Sequence, residues 1–342
     1  MVLAIDIKQI TKIFDNKVKA LDGVELEVNA ADVFALLGPN GSGKTTLMRI
    51  LTTQFRPTSG KAYNFGIDLI RNDAEVRKMI GYVPQETSVW ADITGFENLL
   101  IYSKIYGVPS GSRKKIISDA LQSMGLEEKA NDLVRKYSGG MVRRLEIACA
   151  LMVKPKILFL DEPTLGLDPS ARKAVWENLI IFKKEYGTTI FFNTHYMDEA
   201  DHYSDKIAII MKGRIVKCGT ANDLKQSLRS EALQFGLNCN ALDKTALTKI
   251  RALDFVRDVL FHDSELMVVI ENERADTALP KVMEVLMMRG IQIERIAMAR
   301  PTLDDVFLKY AGPITKIPEC CHQIRGCGRQ IRMCGHNDVK KN

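Results

Sequence analysis

The sequence predicts an α/β protein: a mostly parallel sheet with helices on its faces, an antiparallel β flap, a helical insertion, and a second, small α+β domain of ferredoxin-like order. Three observations predict it. Short unbroken apolar runs recur along the first two thirds of the chain, helical spacing fills much of the space between them, and near Gly219–Asp223 the pattern resets to alternating strand-like and helix-like pieces. Unbroken runs mark strands buried on both faces, and strands alternating with helices mark a parallel sheet.

The elements follow in order. Ile5–Ile7 and Leu26–Val28 alternate apolar and polar residues, which suggests an antiparallel flap beside the main sheet. Val33–Leu37 is the first buried strand and ends in Gly38. Lys156–Leu160, Thr189–Phe192 and Lys206–Ile210 are the next three. Residues from about 95 to 152 hold no strong strand run. Glu97–Tyr106 and Arg113–Met124 carry apolar residues at helical spacing, so a helical insertion over about 87–152 is expected between two strands of the sheet. Beyond the reset, Leu233–Asn238, Ala246–Leu253, Val256–Phe261, Leu266–Ile270, Thr277–Met288 and Ile291–Ala299 read β-α-β-β-α-β. A final helix places Leu303, Val306, Phe307 and Tyr310 on one apolar face. The expected units are therefore 1–221, 222–312 and a tail over 313–342.

Composition is that of an ordinary globular protein, 46% hydrophobic and 26% charged. Six basic and two acidic residues fall in 313–342, so most of the formal net charge of +6 sits in the tail. A nearly balanced body gives no electrostatic reason to expect nucleic acid as the main partner. No apolar stretch reaches the roughly 18–20 residues that span a bilayer, and the first ten residues read as a strand rather than a signal peptide. A cytosolic protein with Cys149, Cys218 and Cys239 as reduced thiols is the expectation.

The chemistry begins at Gly38, Pro39, Asn40, Gly41, Ser42, Gly43, Lys44 and Thr45, which fit G-x-x-x-x-G-K-[ST] between a buried strand and a helix beginning near Thr46. In that context the loop's backbone N–H groups point at phosphate oxygens, Lys44 neutralises the β- and γ-phosphates, and the Thr45 hydroxyl holds Mg²⁺. A second strand ends at Asp161-Glu162. Two adjacent acids after a strand are usually a cap or a solvated turn. Paired with a phosphate loop, Asp161 reads as reaching Mg²⁺ through water and Glu162 as polarising the attacking water. Ser138, Gly139 and Gly140 precede a helix, a further start suited to an anion.

The ordered set Gly38–Thr45, Gln85, Ser138–Gly140, Asp161-Glu162, Asp168 and His195 resembles the ATP-binding subunit of ABC transporters, over residues 3 to about 220. The small domain ending Arg300–Phe307, with Tyr137–Met141 and Thr194–Asp201, is similar to the daunorubicin-resistance-like (ABC-2 type) export branch. The resemblance implies a P-loop ABC ATPase domain. It implies that Phe14 stacks on adenine, that Gln85 joins Mg²⁺ and the attacking water to the helical insertion, that His195 contacts the γ-phosphate, and that Asp168 lies in a loop meeting an opposing subunit. Ser138–Gly140 of one subunit would meet the ATP held by Lys44 of the other, hence a homodimer or paired ATPase subunits. The segment after Gln85 would pass closure to a separate integral-membrane permease, with the chain peripheral on the cytoplasmic face of the membrane. Met141 stands where many members have Gln, and Val142 where a basic residue is common; neither removes a phosphate contact. A soluble ABC ATPase acting on a ribosome or nucleic acid is the alternative, disfavoured by the single cassette and the absence of a heptad array between Lys44 and Asp161. The cargo is not readable.

The tail crowds Cys320, Cys321, His322, Cys327, Cys334 and His336 together, enough ligands for Zn²⁺. Their spacings match no familiar zinc module, and a disordered Cys-rich basic tail is expected.

Overall fold

The structure, a computed structural model, describes residues 2–311 apart from 16, 228–229, 239–243, 263, 272–274 and 300–301. The Cys-rich tail, Cys239, Arg300 and Pro301 lie outside the described residues.

The chain opens with β1 (Leu3–Ile13) and β2 (Lys19–Asn29), then β3 (Val33–Leu37), α1 (Lys44–Leu51), β4 (Ser59–Asn64), β5 (Ile67–Asp68), α2 (Asp73–Met79) and β6 (Ile80–Val83). The flap is a four-stranded antiparallel sheet in the order β2-β1-β4-β5. The insertion follows as α3 (Gly95–Ile105), α4 (Ser110–Ser123) and α5 (Gly139–Leu151). It separates β6 from β7 (Ile157–Asp161), its parallel neighbour in the main sheet. Next come α6 (Pro169–Tyr186), β8 (Thr189–Thr194), α7 (Met197–Tyr203), β9 (Lys206–Met211) and β10 (Arg214–Gly219). The main sheet runs β10-β9-β3-β8-β7-β6, parallel except at β10.

Every residue of β3, β7 and β8 is buried, as their unbroken apolar runs require. Period-two alternation decides which core each side chain joins. Phe34 and Leu36 of β3 meet the flap residues Ile5, Ile10 and Leu21, and Leu47 and Leu51 of α1. Val33, Ala35 and Leu37 point the other way, toward Leu145 of α5 and Trp176 of α6.

The second unit begins after α8 (Ala221–Gln226), with β11 (Ser230–Leu237), α9 (Lys244–Arg251), β12 (Val256–His262), β13 (Glu265–Glu271), α10 (Ala275–Met287) and β14 (Ile293–Ala299). Its antiparallel order, β12-β13-β11-β14, is the arrangement a ferredoxin-like β-α-β-β-α-β chain makes. It has its own core around Leu233, Phe235, Val268 and Val282.

The last helix, α11 (Leu303–Ala311), does not join that core. Leu303 and Val306 are buried in the first unit's core, with Phe307 and Tyr310 packed beside them, and the helix lies against α7, α8 and β9. The apolar face expected from the sequence exists, but its partner is the main sheet's side of the molecule. Among the described residues no helix is long and apolar enough to cross a membrane, and Cys149 and Cys218 are free thiols.

Candidate active site

The phosphate loop is tightly constrained by its backbone. At Gly38 a Cβ would stand 2.5 Å from both the Ile210 carbonyl oxygen and Ser42 Oγ. Gly43 caps α1 with φ +107, and a Cβ there would lie 2.6 Å from the Ala20 carbonyl. Only glycine fits either place. Pro39, Asn40 and Gly41 are exposed, Ser42 is buried, and α1 starts at Lys44, so Thr45 and Thr46 occupy its first turn, half-buried. Lys44 is buried and its Nζ donates to the carbonyls of Gly38 at 2.7 Å and Pro39 at 3.2 Å. Burial pulls its pKa below the usual lysine value, opposed by the charges of Glu162 and Asp161.

Those two acids end β7. Asp161 is 1% exposed and its Oδ1 has no hydrogen-bond partner. Burial holds its carboxyl above the ordinary aspartate range, with Asn193, Arg143, Arg49 and Lys44 opposing. Asn193 is fully buried beside it, yet its Nδ2 also lacks a partner of acceptable geometry, so its opposition is partial. Glu162 has φ +50, the left-handed region, which non-glycine residues rarely enter. Its N–H donates to Asn193 Oδ1 at 2.8 Å, and its Oε2 lies 2.9 Å from His195 Nδ1. Because an ionised carboxylate only accepts, Nδ1 carries the proton in this contact. Glu162 is 7% exposed while the His195 side chain is 43% exposed, so the histidine stands at the surface end of the pair.

An orphaned, buried carboxylate oxygen near a lysine at a phosphate loop is what a hard cation seeks. The residues present fit Mg²⁺, which typically binds through one or two carboxylates together with substrate phosphates. No group of three His, Cys, Asp or Glu side chains among the described residues could hold a metal alone. Any cation here would therefore draw on the phosphates and the Thr45 hydroxyl.

The remaining expected residues are spread around this centre. Gln85 is exposed, just past β6. Ser138, also exposed, caps α5 by accepting from Met141 N–H at 3.3 Å, so its hydrogen bond goes to its own helix and not to the phosphate loop. Gly139 and Gly140 form the first turn of α5, and a Cβ at Gly140 would press on Ala171 of α6 at 3.1 Å. Asp168 caps α6, its Oδ1 accepting from Ser170 and Ala171 N–H, both at 3.0 Å. Phe14, past the end of β1, meets Phe55 edge-on at 5.9 Å, with Lys12 Nζ 5.2 Å from its ring centre.

Two groups of charged residues had no role in the sequence reading. Arg143 and Glu146 of α5 form a buried ion pair at 2.9 Å. Glu199 of α7 is 1% exposed and accepts from Thr164 Oγ1 in a short hydrogen bond and from Thr194 Oγ1 at 3.3 Å. Arg172 lies 3.4 Å from it and also sits over the Tyr196 ring. A charged residue on a helix ordinarily marks a solvated face, so nothing in the sequence singled these residues out.

Burial raises the Glu199 carboxyl above its ordinary value, against the pull of Thr164 and Arg172. Its contribution to stability is therefore greatest below the unfolded glutamate value of about 4.3 and falls as pH rises through the folded value. Glu199→Gln, which cannot ionise, is expected to flatten that decline, so that its melting temperature gains on wild type's as pH rises. Thermal scans across the acid range measure it, and an unchanged slope would exclude Glu199 as the source.

A family profile described as ABC transporter matches residues 21–165, and one for the C-terminal domain of DrrA1-3-like ATP-binding proteins matches 219–311. The daunorubicin resistance ATP-binding protein DrrA3 of Streptomyces coeruleorubidus is 35% identical over 88% of this chain and 94% of its own length. The linearmycin resistance ATP-binding protein LnrL of Bacillus subtilis is 32% identical over 85% of this chain and 93% of its own. Among solved structures, a dimeric post-hydrolysis state of the ATP-binding cassette MJ0796, bound to ADP and Pi, is 28% identical with a TM-score of 0.57. It covers 63% of this chain and 98% of its own.

Proposed function

The chain belongs to the ATP-binding subunits of ABC transporters, of the daunorubicin-resistance-like branch, and from that premise we propose that it hydrolyses ATP to drive a separate membrane permease. Two copies close face to face over two ATP molecules, each lending Ser138–Gly140 to the phosphates held by Lys44 of the other. The observation that carries the reading is the buried Glu162 carboxylate, held by His195 at 2.9 Å beside an Asp161 oxygen with no partner. Glu162 accepts a proton from the water that attacks the γ-phosphorus while the bond to ADP breaks. His195 keeps that carboxylate aimed and reaches toward the γ-phosphate, and Lys44 neutralises the phosphate oxygens. Phe14 supports the adenine ring. Mg²⁺, held by Thr45 and Asp161 with Gln85, supplies further neutralisation of phosphate charge when bound.

Export of a drug-like cargo is the reading that the resistance functions in the relatives' names support, and those names differ in their drugs; the permease sets the cargo. The chain would sit on the cytoplasmic face of the membrane, with the helical insertion and the segment after Gln85 against the permease. An ATPase acting on ribosomes or nucleic acid is not favoured, because the second domain matches the resistance-protein branch.

The shared site has a direct test. With Glu162→Gln and saturating Mg-ATP, the protein is expected to sediment as a dimer. Adding Ser138→Arg should return it to monomer while changing ATP affinity by less than about threefold, since Ser138 caps its own helix away from the loop that holds its own chain's nucleotide. Loss of ATP binding by the Ser138→Arg monomer, or a dimer that persists, would rule out the face-to-face arrangement.

A further inference from the structure

We propose that Arg143 is a positioning residue for ATP hydrolysis: its guanidinium holds the turn carrying Glu162 and the loop carrying Gln85 in fixed relation to α5, the helix that begins at the Ser-Gly-Gly turn. The proposal rests on the reading of Glu162 as the base.

Arg143 is only 8% exposed, and its nitrogens reach across three elements. Nε donates to the Pro163 carbonyl at 2.8 Å, and Nη2 to those of Asp161 at 2.8 Å and Glu162 at 3.2 Å. Nη1 donates to the Pro84 carbonyl at 2.7 Å and to Glu146 Oε2 at 2.9 Å. The whole fork is spent on backbone carbonyls and one buried acid.

What it grips is the part of the site that most needs gripping. Glu162 sits in the left-handed region at φ +50, a conformation that persists only where its surroundings over-determine it. Its N–H is taken by Asn193 Oδ1 and its carbonyl by Arg143, so β8 and α5 hold the residue from its two backbone ends. The Gln85 loop is held in the same way. The Pro84 carbonyl is bound by Arg143, and Ser88 donates its N–H at 2.6 Å and its hydroxyl at 3.2 Å to Glu146 Oε1. Tyr102 of α3 closes the far side by donating to the Ser88 carbonyl at 2.7 Å. Gln85 thus lies between two anchors on one ion pair, and that pair stands one helical turn from Ser138–Gly140.

A planar fork is needed here. Lysine offers one point charge and cannot serve carbonyls spread around the edge of a guanidinium plane. Loss of a purely structural ion pair would lower the melting temperature and leave turnover per folded molecule alone. A positioning residue shifts the base, and misplacing a catalytic group by about 1 Å costs on the order of 10²-fold.

The test uses the full chain with Arg143→Lys and Arg143→Met, each alone and combined with Glu162→Gln. ATP turnover, ATP affinity and melting temperature are measured on the same preparations. Arg143→Met is expected to lower kcat about 10- to 100-fold. ATP affinity should stay within about threefold, because Lys44 and its loop do not touch Arg143. Arg143→Lys keeps the charge beside Glu146 and should recover part of kcat; it carries the comparison if Arg143→Met does not fold. In the Glu162→Gln background, removing Arg143 should lower single-turnover hydrolysis by clearly less than it lowers kcat in the wild-type background, since one of the two groups it positions is already gone and only the Gln85 loop is left to disturb. Two results overturn the proposal: a folded Arg143→Lys or Arg143→Met with kcat within about twofold of wild type, or a loss that multiplies in full on Glu162→Gln. Wild-type turnover in Glu162→Gln alone would instead remove the base reading, and this role with it.

Discussion

Glu162→Gln is expected to cut ATP turnover by roughly 10²- to 10⁴-fold, the range general-base catalysis supplies, while ATP affinity stays nearly unchanged. The amide keeps the size of the carboxylate and can still meet His195, but it cannot accept a proton from water. Binding is spared because, in the proposed site, Lys44 and the loop Gly38–Thr45 would make the phosphate contacts independently of that proton transfer. Steady-state turnover and equilibrium nucleotide binding on one preparation give both numbers. A variant within tenfold of wild type would send the search for the base elsewhere in the site.

Trp176→Ala is expected to be the most damaging single truncation for the fold, costing about 3–5 kcal/mol. Trp176 is fully buried, meets Phe192 edge-on at 4.6 Å and stacks on Tyr203 at 4.6 Å. It therefore ties α6 to β8 and α7, the elements that carry Asp168, His195 and Glu199. A loss of that size corresponds to a fall in Tm on the order of 10 °C for a chain of a few hundred residues. Trp176→Phe should cost much less, since the indole Nε1 has no hydrogen-bond partner to lose and the ring contacts persist in part. Denaturant unfolding of the two variants separates the cases; equal losses would mean that volume is not what the site requires.

Legibility in the sequence followed burial. Val33–Leu37 and the Ile190–Phe192 part of Thr189–Phe192 are apolar on both faces and could be read as central strands; the ferredoxin-like order was legible because its strands and helices keep distinct periods. The phosphate loop was legible because Gly38 and Gly43 occupy places where a Cβ has no room. Arg143, Glu146 and Glu199 were not. A charged residue on a helix ordinarily marks a solvated face, and only the fold reveals that these three point inward to backbone carbonyls and hydroxyls. The left-handed turn at Glu162 was equally silent, since no residue type announces it. Nor did periodicity tell α11 which core to join: Leu303 and Val306 define a face, and a face does not name its partner.

The placement of α11 means that the small domain is fastened to the catalytic unit by both of its ends, α8 entering and α11 returning. It is less an appendage at the end of the chain than a loop let out from the ATPase body and drawn back in. Cutting the protein after α8 would strip a structural helix from the enzyme and lay bare Leu224, Tyr203 and their neighbours. A clean removal of the domain is an internal excision that joins α8 to α11 and leaves the seam sealed.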